Sequence, residues 1–344
     1  MEQTLSTEHR APLIDRFGRV HTSLRISVTD RCNIRCFYCM PGDHVRFRPR
    51  AEILTYEEIE RFVRGVSLLG IRKLRITGGE PLVRAELWHL IERLARLDRV
   101  EEVALTTNGI LLPEQAHQLK DAGLTRLNIS LDTLNEETFR KISRREGLSR
   151  VLDGIQAAQE VGFKNLRLNA LSIRGISEEE IIPLAQFARA HELELRFIEF
   201  MPLDADQQWQ TQSVLSGAEV RTTLEHAFGP LIASVRPNPS QPAVDFRFAD
   251  GRGRIGFINP VTEPFCGQCD RLRLTAEGKV RNCLFSTEEW DLRSFLRNNP
   301  DPPEIADAQI MDCVRTAIGA KKAGHGIDSE HFLRPQRAMY QIGG

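Results

Sequence analysis

An α/β fold built on a parallel sheet is what this sequence predicts, on three observations. Short apolar strands alternate with amphipathic helical stretches from about residue 24 to residue 200. Motifs rich in glycine, cysteine or hydroxyl groups fall where the successive strands end. After residue 201 the alternation gives way to shorter strand-like pieces, so a second region of mixed α and β follows the first.

The strand candidates are "SLRISV" (23–28), "RKLRIT" (72–77), "EVALTT" (102–107), "RLNISL" (126–131), "NLRLNAL" (165–171) and "ELRFIEF" (194–200). Helical stretches between them include "TYEEIERFVRGVSLLG" (55–70) and "SEEEIIPLAQFARAHE" (177–192). Thr55 and Ser177 stand three residues before Glu58 and Glu180, the spacing of a capping box. Six strand–helix units fall short of the eight in a complete (β/α)8 barrel. A partial six-unit barrel and an open doubly wound sheet both fit, and both place chemistry at the C-terminal strand ends. The motifs obey that rule: three cysteines follow the first strand, "TGGEP" ends the second, "TTNG" the third, and Ser130 and Asp132 the fourth.

Beyond residue 201, the polar stretch 203–217 precedes a helix ending near 228. "VDFRFADGRGRIGFI" (244–258) and "RLRLTAEGKVRNCLF" (271–285) each read as two strands about a turn. The expected division is 12–201 and 202–344. Within the first hairpin "GRGRIG" spells G-x-G-x-x-G, but no helix follows it, so the dinucleotide reading fails and a turn is expected.

Hydrophobic residues make up 41% of the 344-residue chain, enough for a large core. Forty-six Lys and Arg against 47 Asp and Glu give no bulk attraction to a polyanion such as nucleic acid. No apolar run approaches membrane-spanning length and the N-terminus has no apolar h-region, so a soluble, cytoplasmic protein is expected.

Seven cysteines in such a chain argue for metal ligation rather than disulfides. Cys32, Cys36 and Cys39 form C-x3-C-x2-C; Cys266, Cys269 and Cys283 form C-x2-C-x13-C; Cys313 lies in a helical pattern as a small core residue. Neither trio has a fourth cysteine. Iron–sulfur clusters are usually held by four thiolates, so three leave one iron open to a small molecule, as an open zinc site is catalytic and a closed one structural. A structural zinc site would need His44 as an awkward fourth ligand at the first trio, and a second close pair at Cys283. The histidines offer no H-x3-H or H-E-x-x-H pattern, and no Walker phosphate loop is present.

C-x3-C-x2-C with Tyr38 before its last cysteine, together with "TGGEP" (77–81), resembles the radical S-adenosylmethionine (SAM) superfamily. The fuller set narrows the resemblance: "TDRCNIRCFYCMP", "RITGGEP", "TTNG", "NISLDT", "EFMP", "CGQCDRLRLTAEGKVRNCL" and the terminal "QIGG" are similar, in order, to the GTP 3′,8-cyclase family of molybdenum cofactor biosynthesis. The resemblance implies a partial (β/α)6 TIM-type barrel with a C-terminal α+β region carrying a second cluster. It implies two [4Fe-4S] clusters, one on Cys32, Cys36 and Cys39 that cleaves SAM, and one on Cys266, Cys269 and Cys283 that binds guanine. Tyr38, Gly79, Ser130 and Met201 would contact SAM. Arg25, Arg75, Thr106, Arg167, Arg271 and Arg273 would contact GTP. Arg271, Arg273 and the terminal Gly343 and Gly344 would serve catalysis. A deoxyadenosyl radical would take hydrogen from C3′, and C3′ would attack C8. An electron donor, a downstream cyclic pyranopterin monophosphate synthase and a homodimer complete the implied partners.

Two positions depart from the family. Arg167 stands where a lysine is usual, and the two cations differ in geometry and hydration. Ala338 stands where proline is usual. Two other readings are a zinc-stabilised nucleotide- or RNA-binding protein without chemistry and a peptide- or RNA-modifying radical SAM enzyme with an auxiliary cluster; near-neutral charge opposes the first, and the Arg271–Arg273 pair with the double glycine opposes the second.

Overall fold

The structure, a computed structural model, describes residues 11–236, 238–327, 329–330 and 332–343; Gly344 lies outside the described residues. Its first part is a strand–helix repeat: β1 (Ser23–Ser27), α1 (Tyr56–Leu68), β2 (Lys73–Thr77), α2 (Leu87–Ala95), β3 (Glu102–Thr107), α3 (Leu112–Asp121), β4 (Arg126–Ser130), α4 (Glu136–Ser143), α5 (Leu148–Glu160), β5 (Leu166–Ser172), α6 (Ile181–Ala190) and β6 (Glu194–Glu199). There follow α7 (Gly217–Phe228), β7 (Leu231–Ala233), β8 (Val244–Phe248), β9 (Arg254–Ile258), β10 (Arg271–Leu274), β11 (Lys279–Arg281), β12 (Trp290–Asp291), α8 (Arg293–Leu296), α9 (Pro303–Gly319) and α10 (Met339–Ile342).

One sheet of twelve strands runs in the order β12-β11-β10-β1-β2-β3-β4-β5-β6-β9-β8-β7. The first six units are parallel, as expected. The later region does not build a sheet of its own: β9 joins parallel to β6, and β10 joins parallel to β1. Strands from the C-terminal third therefore extend the barrel at both edges.

Period-two alternation explains which way each strand faces. Leu24 and Ile26 of β1, Leu74 and Ile76 of β2, and Val103 and Leu105 of β3 are buried in the core shared with the helices. Phe62, Val63 and Val66 of α1 and Leu90, Ile91 and Leu94 of α2 belong to that core. The intervening polar side chains point to the concave face. Residues of β1 to β6, β9 and β10 line one cavity, so the sheet curls around it as a partial barrel.

Local chemistry sets the element ends. Thr55 caps α1 with the reciprocal Glu58 bond, as the spacing predicts. Ser177 does not cap a helix. Its hydroxyl donates to the Leu171 carbonyl and accepts from the Ile173 N–H, and a 3-10 turn over Glu178–Glu180 leads into α6. The end of β5 competes for that hydroxyl and wins. "GRGRIG" is a turn between antiparallel β8 and β9, with Gly251 and Gly253 at φ of 74° and 90°. Cys313 packs half-buried against the main core. No helix among the described residues is long and apolar enough to cross a membrane.

Replacing Thr55 by Ala removes the hydroxyl that accepts the Glu58 N–H, leaves the Thr55 N–H on the Glu58 carboxylate, and is expected to cost about 1 kcal/mol. Urea unfolding followed by circular dichroism measures it.

Candidate active site

The strand pattern x-Leu-Arg-Ile or x-Leu-Arg-Leu recurs in β1, β2 and β10. Register places the three arginines side by side: Arg273 pairs with Arg25, and Arg25 pairs with Arg75. One step nearer the strand starts, Arg271, Ser23, Lys73 and Glu102 form a second row. Like charges directly opposite across strands are destabilising. The sequence nevertheless sets three in a line, facing inward.

They face a cavity of about 490 Å³ lined by both cysteine trios. Tyr38, Gly79, Ser130, Met201, Arg25, Arg75, Thr106, Arg167, Arg271 and Arg273 line the same cavity. The residues named from sequence therefore converge on one place, with two provisos. Gly343 approaches from the tail, where its carbonyl accepts a bond from the Arg273 guanidinium. Gly344 lies outside the described residues.

Compensation of the cationic charge is uneven. Arg126 is paired with Glu102, and Arg167 lies 3.0 Å from Glu194, which also holds Arg196 at 2.5 Å. Arg75 has no carboxylate partner among the described residues. Its side chain is largely buried, and what it exposes faces the cavity. Burial, then Arg25, Arg126, Arg196 and Arg167, all disfavour its charged form. Burial, Arg273 and Arg271 do the same to Arg25, with weaker relief from Cys269 and Asp270. An anion in this cavity would relieve both.

The two trios differ in their electrostatics. Burial pushes the Cys32 thiol up to about 11, with Glu80 adding to the rise, and holds Cys36 and Cys39 up as well. At Cys269 burial also raises the pKa, but Arg271 and Lys321 overcome it and hold the thiol near 6. Among the described residues no three His, Cys, Asp or Glu side chains converge closely enough to hold a single metal ion. A cubane cluster asks for something looser, since each thiolate takes a different iron. Both trios fit that demand. Cys32, Cys36 and Cys39 lie on one loop, and all six thiols line the cavity.

The first cysteine loop is held against β2 at close range. Gly79 N–H donates to the Thr29 carbonyl at 2.8 Å and Glu80 N–H to the Arg31 carbonyl at 2.7 Å. A Cβ on Gly79 would stand 2.4 Å from the Arg31 oxygen. The Tyr38 hydroxyl donates to Asp132 at 2.6 Å, and Asp132 accepts the Leu171 N–H. The Glu80 carboxylate accepts from Leu82, Thr107 and Asn108, while burial raises its pKa to about 7.

The tail closes one side. Ala338 is extended at φ −78°, an angle proline would adopt, but its N–H bonds the Gln341 side chain at 3.0 Å. Tyr340 packs with Met40 and Ala338 beside Cys32 and Cys39, and its N–H is directed at the Cys39 sulfur. Gly343 has a φ of 71°, and a Cβ there would stand 2.6 Å from the Thr77 methyl.

Several cavity residues were not named from the sequence: Lys73, Arg126, Arg196, Asn108 and Asn169 line it. The first three carry a signal, since each alternates with the apolar residues of its strand. Asn169 carries the same signal within β5, whereas Asn108 carries none beyond its place just after β3.

Comparison with known proteins agrees with this geometry. Residues 26–188 match the family model of the Radical SAM superfamily, and 193–327 match Molybdenum Cofactor Synthesis C. The solved structure of Streptococcus suis SuiB bound to S-adenosylmethionine is similar in fold, with a TM-score of 0.60 at 15% identity over 87% of this chain and 67% of that one. The fold and cysteine loop thus define a radical SAM protein. The chain is 54% identical to the GTP 3′,8-cyclase of Rhodopirellula baltica, over 96% of this chain and 92% of that protein. It is 43% identical to that of Streptomyces coelicolor, over the full length of both. The chain belongs to the GTP 3′,8-cyclase family.

Gly79→Ala must displace backbone on one side or the other and is expected to destabilise the chain by roughly 1–3 kcal/mol. Urea unfolding measures the loss, and a variant as stable as wild type would contradict the close-approach account.

Proposed function

We propose that this chain converts GTP to 3′,8-cyclo-7,8-dihydro-GTP by hydrogen abstraction at C3′ and attack on C8, the first step of molybdenum cofactor biosynthesis. The observation that carries the reading is the inward row Arg273–Arg25–Arg75 between two cysteine trios, with no carboxylate paired to Arg75 among the described residues. When bound, iron–sulfur clusters at the two trios would supply the electron that cleaves SAM at the first and an open iron for the guanine at the second.

The remaining work falls to side chains and backbone. Gly79 would accept close approach of the methionine end of SAM, with Tyr38, Ser130 and Met201 around it. Asp132 holds the Tyr38 ring in place through the hydroxyl bond. Arg25 and Arg75 would take the triphosphate with Thr106 and Lys73 beside them, because guanidinium forks match phosphate oxygens. Arg167 is already committed in part to Glu194, so it would act as a shared cation rather than a free clamp. Arg271 and Arg273, two apart on β10, face the space between the trios, and Arg273 also fixes the tail through the Gly343 carbonyl. Gly343, whose carbonyl already meets Arg273, would help position the substrate.

A cytoplasmic location, a cellular electron donor, hand-off of the product to a synthase and a homodimer all fit this reading. The deciding experiment is anaerobic release of 5′-deoxyadenosine from SAM by the reduced, reconstituted chain, with GTP, with ATP and with neither. Strong stimulation by GTP alone is the expected result. Release indifferent to nucleotide would overturn the GTP assignment.

A further inference from the structure

Lys321 follows α9 and is only 3% exposed. Its ammonium donates to the Arg271 carbonyl at 2.8 Å and the Asn282 carbonyl at 2.7 Å, and stands 3.7 Å from the Cys269 sulfur. An ammonium has three N–H donors, so two hold the group in place and the third is left for sulfur. No carboxylate pairs with it among the described residues. A buried cation without an anion is costly, and the anion this one faces is a cysteine sulfur.

The segment carrying Lys321 is itself fixed to the cysteine loop. The Arg19 guanidinium donates to the Cys266 carbonyl at 2.7 Å, to Lys322 at 2.7 Å and to Ala323 at 3.1 Å, while Asp15 accepts its Nε–H at 2.6 Å. The side-chain amide of Asn282, next to Cys283, donates to the Ala317 carbonyl at 2.7 Å at the end of α9. Elements from the chain's start, middle and end thus hold one lysine against one sulfur.

We propose that Lys321 is a positioning residue of the second iron–sulfur cluster, supplying a fixed, buried positive charge and an N–H donor to the Cys269 thiolate. The inference rests on the reading that Cys266, Cys269 and Cys283 carry a cluster. Hydrogen bonds and charge at cluster sulfurs raise the reduction potential and strengthen retention. Lys321 does both for this cluster and neither for the first.

The test uses full-length chain, reconstituted anaerobically with iron and sulfide, as wild type, Lys321→Gln and Lys321→Arg. Gln keeps a donor for the two carbonyls and removes the charge. Potentiometric titration followed by electron paramagnetic resonance reads the two clusters, and a chelator challenge reads their iron. The expected result for Gln is a more negative potential for the second cluster and several-fold faster loss of its iron, with the first cluster unmoved. Arg should lie nearer wild type. Both clusters of Lys321→Gln titrating as in wild type, or shifting together, overturns the proposal. So does a variant that fails to fold by circular dichroism, since Lys321 is then a structural brace. A wild-type chain that takes up one cluster only overturns the two-cluster reading itself.

Discussion

The packing of like charges on the concave face of the barrel is the constraint on which the rest depends. Three arginines in one cross-strand row cannot be explained as a folding device. They are tolerated because the outward residues of the same strands, Leu24, Ile26, Leu74, Ile76, Leu272 and Leu274, are buried almost completely against helices. The apolar face carries the stability and the polar face carries a standing demand for an anion. Glu102 and Glu194 meet that demand on one side of the cavity, leaving Arg25 and Arg75 on the other. A triphosphate is what that asymmetry fits.

Bringing the trios together is a matter of topology. They are more than two hundred residues apart in sequence. The parallel pairing of β10 with β1 brings Arg271 and Arg273, and Cys269 just before them, beside the strand that leads into Cys32. The tail spans the two: Tyr340 reaches Cys39 and Gly343 reaches Arg273. A single displacement of β10 would therefore disturb substrate row, second trio and tail at once.

Much of this was legible in advance, and what was not has physical causes. Period two places all six early strands to within a residue or so at their ends, because their apolar faces are buried on one side. Thr55 was legible because its capping partners are local; Ser177 was not, because the end of β5 claims its hydroxyl from outside the helix. The joining of β9 and β10 to the barrel edges is a non-local pairing with no sequence period of its own. Arg126 and Arg196 were missed although they alternate with apolar neighbours, since an arginine facing a cavity and one facing solvent look alike in a strand. Lys321 is the extreme case: in "GAKKAGHG" nothing separates a buried lysine from an exposed one.

The central claim is that the barrel is built around uncompensated positive charge awaiting a triphosphate. The most direct measurement compares wild type with Arg75→Met, both anaerobically reconstituted, by thermal unfolding with and without tripolyphosphate and by calorimetric titration of GTP. The account predicts that unliganded Arg75→Met melts higher than wild type, because a buried cation without a partner has been removed. It predicts that tripolyphosphate stabilises wild type and hardly affects the variant, and that GTP binds the variant far more weakly. A variant that melts lower and still takes up GTP with wild-type affinity would contradict it.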